Sequence, residues 1–158
     1  MLTIEQLQTL KAAILADPNL TQFVADGATG AIAEYLRTDS TFVVWKTSVN
    51  ADEVMKNGMD WTQVDNLSVG KARIWDWLTK SGTFNPAKSN VRAGIAECWK
   101  GTAAMLAVQA AVFVHCKRFA TRFEAIYATG TGTGATPGST VVEGALDDYW
   151  VVQALTQV

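Results

Sequence analysis

The chain has 158 residues, of which 49% are hydrophobic and 18% are charged, and its formal net charge is −2. A chain of this size and apolar content is expected to fold around a core, which excludes disorder throughout. The small negative charge does not indicate a protein that binds nucleic acid by neutralising its phosphates, which requires a basic excess. It is compatible with a protein through which nucleic acid passes.

Short helices are predicted in the first quarter of the chain. Thr3 and Gln6 form a capping box, and leucines then recur at helical spacing, which predicts a helix over about residues 4–16. Pro18 ends this helix and begins a short second one. A third helix is predicted over about residues 27–37.

The middle of the chain alternates between extended and helical patterns. Residues 41–49 are β-branched and aromatic, so they predict either a short strand or an extended linker. Asn50 and Asp60 each precede a short helical pattern. Ser68 caps a longer helix, which Gly82 ends.

One long helix is predicted as the central element. Its apolar residues recur every three or four positions from Pro86 or Asn90 to about Ala128. Gly94 and Gly101 lie inside it and weaken it locally. Residues 103–114 are apolar nearly all round, which indicates burial on all sides at the centre of a bundle or at a subunit contact.

Residues that support catalysis or metal binding do not converge in the sequence. Cys98 and Cys116 share the predicted long helix about 27 Å apart, too far for a disulfide, and are interpreted as buried thiols in a reducing compartment. His115 is the only histidine, and a helical neighbour does not face Cys116. We therefore expect no enzyme, no catalytic residue, no cofactor and no metal site.

Targeting segments are not expected either. The start, MLTIEQLQTL, lacks a basic region followed by an apolar one, so no signal peptide is predicted. The most apolar run, residues 101–116, is shorter than the roughly 20 residues of a membrane span. We therefore expect no membrane association.

The segment ATGTGTGATPGSTVVEG resembles a phosphate-binding loop only in its glycines. A dinucleotide loop follows a strand and opens a helix, whereas this segment follows a helix and precedes a strand. The helix end that faces it carries the negative end of the dipole. We therefore interpret Gly130, Gly132, Gly134 and Gly138 as a hinge.

The predicted fold is mostly α: a helical bundle around one long central helix, with a C-terminal extended β arm. The predicted domains are a bundle over residues 1–128, a hinge over 129–138 and an arm over 139–158. The arm begins with a strand, and its end reads equally as a short helix or a second strand. Some of the six tryptophans are expected at contacts with other chains. The predicted subunit or partner contacts are Arg118, Arg122, Val141, Val142, Leu146, Tyr149 and Trp150.

Four segments resemble a small helical protein of tailed-bacteriophage virions. They are FVVWKTSV, MDWTQVDNLSVGKARIWDWLT, NPAKSNVRAGIAECWKGTA and ATGTGTG, and the resemblance covers roughly residues 42–146. Within that setting the chain looks like a head–tail adaptor, also called a head completion or neck connector protein.

The resemblance implies a structural role in the virion neck after assembly in the host cytoplasm. Such adaptors form a homo-oligomeric ring, typically of twelve subunits, beneath the portal protein. The ring extends the DNA channel without sequence-specific binding and docks the tail or a stopper protein. The alternatives are another neck or tail protein, such as a tail terminator, and an assembly factor outside the virion.

Overall fold

The computed structural model describes residues 1–157. They form two compact units. The first unit combines Met1–Val44 with Phe119–Val158, and the second unit is the continuous segment Trp45–Arg118. The glycine-rich loop and the segment after it therefore belong to the first unit.

Helices account for most of the regular structure. Within residues 1–157 the α-helices are α1 (Ile4–Ala16), α2 (Thr21–Ala25), α3 (Thr29–Arg37), α4 (Ala51–Lys56), α5 (Trp61–Asp65), α6 (Val69–Thr79), α7 (Ser89–Cys98), α8 (Ala103–His115), α9 (Arg122–Ile126) and α10 (Asp148–Thr156). A 3₁₀ turn, Pro18–Leu20, follows α1.

Strands are short and form two-stranded sheets. They are β1 (Asp39–Trp45), β2 (Val49–Asn50), β3 (Thr83–Phe84), β4 (Lys117–Thr121), β5 (Ala128–Thr129) and β6 (Ser139–Thr140). The pairs are β1 with β4, β2 with β3, and β5 with β6. The last two pairs are antiparallel, with Val49 opposite Phe84 and Ala128 opposite Thr140.

Side-chain caps set the helix starts where the sequence predicted them. The Thr3 hydroxyl accepts the Gln6 amide N–H, and the Gln6 side chain accepts the Thr3 N–H, which confirms the first capping box. The bounds of α1 are those predicted. The Ser68 hydroxyl likewise accepts the Lys71 N–H at the start of α6.

The core of the first unit joins both ends of the chain. Helices α1 and α3 pack against α10. The buried residues of this core are Leu7, Leu10, Ile14, Leu20, Ile32, Ala33, Leu36, Phe123, Tyr127, Leu146, Val151 and Ala154. The last three lie beyond the glycine-rich loop, so the C-terminal segment is part of the hydrophobic core.

The second unit has its own core, around two tryptophans. The Trp75 and Trp99 rings meet edge to face with centroids 5.2 Å apart. Helices α6 and α7 pack together around them. The other buried residues of this core are Val49, Ala51, Val54, Leu78, Phe84, Ile95, Cys98, Val108, Val112 and Cys116.

The prediction of one long central helix is wrong, although the mostly α content agrees with the structure. Helix α7 ends at Cys98, Gly101 has φ of 128°, and the Thr102 hydroxyl caps α8 by accepting the Met105 N–H. Residues other than glycine rarely adopt that φ, because a side-chain carbon would be strained there. The chain therefore turns at Gly101. After His115 the chain becomes strand β4.

The predicted extended β arm is also wrong. Among residues 139–157 only Ser139 and Thr140 form a strand, and the Asp147 carboxylate then caps α10 by accepting the Tyr149 N–H. The helical alternative for the last residues is therefore the one observed, as far as Thr156. Tyr149, Val152 and Thr156 recur at helical spacing, whereas Val151 and Ala154 face the core.

Candidate functional site

The histidine and the two cysteines are held in structural contacts. The His115 ring Nε2 lies 2.8 Å from the Asn57 carbonyl oxygen. Cys98 and Cys116 are both fully buried and both unbridged, and they lie in different elements because the long helix is divided. No three His, Cys, Asp or Glu side chains in residues 1–157 are placed to hold a metal ion.

Burial makes both thiols poor nucleophiles. Removal from water raises the pKa of Cys98 to about 11 and that of Cys116 to about 12, from an ordinary value of 9.0. The thiolate is the reactive form of cysteine, so little of it exists near neutral pH. These groups are packing residues in the second core.

The four glycines interpreted as a hinge lie in an ordered loop that contacts β1. The Val43 N–H donates to the Gly132 carbonyl at 2.7 Å, and the Gly138 N–H donates to the Val43 carbonyl at 2.8 Å. A side-chain carbon at Gly132 or Gly138 would overlap the Phe42 ring. The loop therefore packs against the Phe42 ring within the first unit.

The other two glycines of the loop are under different constraints. Gly130 has φ of 96°, and a side chain there would crowd the Gly138 backbone. Gly134 has open space around it. At the tip the Thr133 hydroxyl accepts the Thr136 N–H at 3.0 Å. The loop thus closes on itself by hydrogen bonds among its own threonines.

A buried carboxylate anchors the chain after the loop. Glu124 is only 3% exposed. One of its oxygens accepts the Thr121 N–H at 2.9 Å, and the other accepts the Gly144 N–H at 3.2 Å. The Thr140 hydroxyl also donates to the Glu124 backbone carbonyl. Glu124 therefore ties α9 to the segment that leads into α10.

Of the predicted contact residues in the C-terminal segment, some are exposed and others are buried. Val141 is 80% exposed and Tyr149 is 55% exposed. Leu146 is buried in the first core, and Val142 and Trp150 are half-buried against it. Val141 and Tyr149 are thus the two of these five positions that remain largely available to another chain.

Arg118 and Arg122 lie four residues apart and would share a face of the predicted long helix, but they lie in different elements of the structure. Arg118 is in β4 and half-buried, whereas Arg122 is the first residue of α9. The Arg122 guanidinium lies 4.5 Å from the Tyr35 ring centroid, and its Nε donates to the Thr38 hydroxyl at 3.1 Å. The prediction of a shared face failed because it assumed one continuous helix.

Helix α8 presents an apolar face that the list of predicted contacts missed. It has no Asp, Glu, Lys or Arg in its 13 residues. Val108 and Val112 are buried, and the side opposite them is exposed. The exposed residues on that side are Ala103, Leu106, Ala107, Ala110 and Val114. We call this set the α8 face; the sequence signal for it was the apolar character of residues 103–114.

The spacing of the α8 face is that of a helix–helix interface. Ala103, Ala107, Ala110 and Val114 follow one another by four, three and four residues, so they form a single stripe. Leu106 is 49% exposed and Val114 is 69% exposed. The sequence offered two explanations for residues 103–114, and burial on all sides within the subunit is not the one observed.

A second apolar feature of the second unit is an open groove of about 600 Å³. The Trp77 side chain, 75% exposed, stands at its margin. Leu78 and Phe84 form part of its wall. Trp77 is exposed because Trp75, two residues earlier in α6, occupies the core-facing side of that helix.

Comparisons with family models, curated proteins and solved structures found no match for this chain. No helix in residues 1–157 is long and apolar enough to cross a bilayer. The functional interpretation therefore rests on the chain's own surfaces and on the resemblance seen in the sequence.

Proposed function

We propose that this chain is a structural protein that assembles with copies of itself through the α8 face. The observation that carries the proposal is a helix without charged residues whose apolar side is exposed. Contiguous apolar surface of this kind is typical of interaction sites rather than of solvated helices. The alanines of the stripe allow the backbone of another helix to approach closely.

The resemblance supports a specific place for such an assembly. A head–tail adaptor forms a ring in the neck of a tailed-bacteriophage particle, beneath the portal protein and above the tail or stopper. DNA passes through the ring. In this role the α8 face would join neighbouring subunits, and the exposed Val141 and Tyr149 would be available to a neighbour or to the tail.

The self-association step is tested by one substitution on the α8 face. Ala107→Glu places a charge in the middle of the stripe, where burial of an unpaired carboxylate is unfavourable. We expect the wild-type mass from native mass spectrometry or light scattering to be a multiple of the 17.0 kDa chain. Ala107→Glu is expected to weaken association at least tenfold.

The matched control is Ala93→Glu, on the exposed side of α7 in the same unit. It adds the same charge to an exposed helical alanine outside the α8 face, so it should assemble as the wild type does. A wild-type protein that stays monomeric at every concentration would contradict the proposal. Equal loss of assembly in both variants would show that the α8 face is not the surface through which the copies associate.

The place in the virion is tested separately. Quantitative mass spectrometry of purified particles should find the chain at about a dozen copies each, as a closed ring of this family requires. A chain that is needed for particle formation but absent from finished particles would instead be an assembly factor outside the virion.

A further inference from the structure

The two units carry opposite net charges. The second unit contains ten Lys and Arg residues and six Asp and Glu residues, which gives +4. The remaining sequence, which forms the first unit, contains three Lys and Arg residues and nine Asp and Glu residues, which gives −6. The overall charge of −2 therefore conceals a strongly acidic part and a basic part.

Part of the positive charge is gathered around Trp45. The Arg92 guanidinium carbon lies 4.9 Å from the Trp45 ring centroid, and the Lys117 Nζ lies 5.5 Å from it. Two cations thus contact one aromatic ring. Lys46 follows Trp45 directly, and Lys88 lies on the exposed surface one turn before Arg92. We call Lys46, Lys88, Arg92 and Lys117 the basic cluster.

Backbone hydrogen bonds hold the segments of the basic cluster together. The Lys46 N–H donates to the Cys116 carbonyl at 2.9 Å, and the Ala87 N–H donates to the Lys46 carbonyl at 3.1 Å. The Arg92 Nη1 donates to the Pro86 carbonyl at 2.7 Å and to the Ala87 carbonyl at 2.8 Å. The fold of the second unit therefore holds together the segments that carry the basic cluster.

The negative charge of the first unit is largely on its surface. Asp26, Glu34, Asp147 and Asp148 are all exposed. Glu34 lies on α3, which packs against α10, and both aspartates at positions 147 and 148 stand at the start of α10. We call Asp26, Glu34, Asp147 and Asp148 the acidic surface.

Few cations of the first unit offset this surface. It contains only Lys11, Arg37 and Arg122. Arg37 pairs with Asp148 and also donates to the Leu146 carbonyl at 2.8 Å, and Arg122 lies over Tyr35. Three cations against nine carboxylates leave the first unit with a net negative charge that a cationic partner would complement.

We infer that the basic cluster of one copy docks against the acidic surface of the next copy. This inference rests on the proposed self-assembly and specifies its geometry. The two surfaces differ, so the contact is heterologous, and repeated heterologous contacts generate a ring when the rotation closes. Complementary charge also fixes which faces meet and disfavours pairing of like faces.

A second copy is a better occupant of the basic cluster than a nucleic acid. The complementary acidic surface is present on this same chain, at equal concentration with every basic cluster. The whole chain is also net negative, which opposes binding to a phosphate backbone. Binding of the cluster to DNA is a separate hypothesis, and the experiment below distinguishes it.

The experiment uses two full-length charge-reversal variants. One carries Lys46→Glu and Lys88→Glu, which reverses two of the four positive charges of the basic cluster and brings its net charge from +4 to 0. The other carries Asp26→Lys and Glu34→Lys, which brings the net charge of the acidic surface from −4 to 0. Each variant alone should assemble at least tenfold more weakly than the wild type, because one side of every contact has lost its net charge and carries two charges of the wrong sign.

Mixing the two variants should restore assembly. The reversed cluster of the first variant matches the reversed surface of the second, and their unaltered faces match as well. The mixture should therefore form particles that contain both variants, which native mass spectrometry resolves. The matched control is Arg73→Glu on α6 with Lys80→Glu at its C-terminal cap, which makes the same charge change away from the cluster and should assemble as the wild type does.

Three outcomes would overturn the inference. The first is wild-type assembly by both charge-reversal variants, which leaves self-association through the α8 face intact. The second is a mixture that fails to co-assemble. The third is tight binding of wild-type protein to random-sequence duplex DNA that Lys46→Glu with Lys88→Glu abolishes while assembly is unchanged. A monomeric wild type would instead contradict the proposed function itself.

Discussion

The first unit draws its core from both ends of the chain, whereas the second is built from one continuous segment. The first core closes only when α10 packs against α1 and α3. The second core closes without help from distant sequence but leaves the outer side of α8 uncovered. The segment after the glycine-rich loop therefore completes a core, while the internal helix α8 leaves an apolar stripe exposed.

The largest expected effect is on the first unit alone. A chain truncated after Gly144 loses the buried Leu146, Val151 and Ala154. Each large buried side chain contributes about 2–5 kcal/mol, and a domain's whole stability is about 5–15 kcal/mol. We expect hydrogen exchange to show that α1 loses its protection while α7 in the second unit keeps it.

The control for this truncation is a chain that ends at Thr156, which keeps α10 and should protect α1 normally. Retained protection of α1 in the shorter chain would mean that α10 is dispensable to the first core. The segment would then act as an arm, as the sequence predicted.

The next effect concerns the glycine-rich loop, which packs against Phe42. Gly132→Ala introduces a carbon that overlaps the Phe42 ring at a position with φ of 65°. Backbone strain and overpacking each cost about 1–3 kcal/mol, so we expect a loss of about 2–4 kcal/mol in the free energy of unfolding of the first unit. Urea unfolding followed by a probe in that unit measures it.

Gly134→Ala is the matched control, because nothing lies near its side-chain position and its φ is not positive. It should change stability by less than about 0.5 kcal/mol. Equal effects of the two substitutions would show that the loop is free in solution and does not hold Phe42.

A smaller effect is expected at the buried carboxylate. Glu124→Gln replaces one acceptor oxygen by an amide that donates, so either the Thr121 or the Gly144 N–H loses its partner. Leaving a buried donor unsatisfied costs about 1–3 kcal/mol. Thermal unfolding of the first unit should report this loss, and Glu34→Gln on the exposed side of α3 should leave it unchanged.

The smallest effect concerns the second unit and is confined to alkaline pH. The pKa of Cys98 is raised to about 11 and that of Cys116 to about 12, so the unfolded chain loses these protons first. Their contribution to stability is full below pH 9 and falls as the pH rises through 11 and 12. We expect unfolding of the second unit to become easier over that interval.

The double variant Cys98→Ala with Cys116→Ala should lose part of this alkaline slope when its free energy of unfolding is measured against pH. The comparison with the wild type removes the contribution of lysines, which titrate in the same range. An identical slope in both proteins would place the two thiols in contact with water in the folded state.

The helix starts and the main short helices were predictable because their signals are local. Thr3 and Ser68 cap helices by bonding amides three residues away, so a few neighbouring residues determine each start. The apolar character of α8 was equally visible. The site could be predicted only to this extent: the sequence identified an apolar helix and offered a subunit contact as one explanation.

The sequence could not predict the break of the long helix, because the apolar spacing continues across it. Gly101 occurs within that spacing, and only its φ of 128° shows that the chain turns there. Because the helix is broken, Arg118 lies in β4 and is separated from Arg122 in α9. It also placed both cysteines on one helix that does not exist.

By itself the sequence determined the Thr3 and Ser68 caps, the bounds of α1 and the mostly α content, since each depends on residues close together in the chain. Only the tertiary structure decided that Leu146 enters the first core and that the α8 face stays exposed. It also decided how the charges divide between the two units. These features depend on which distant surfaces pack together, and pairing over long separations leaves no local pattern to read.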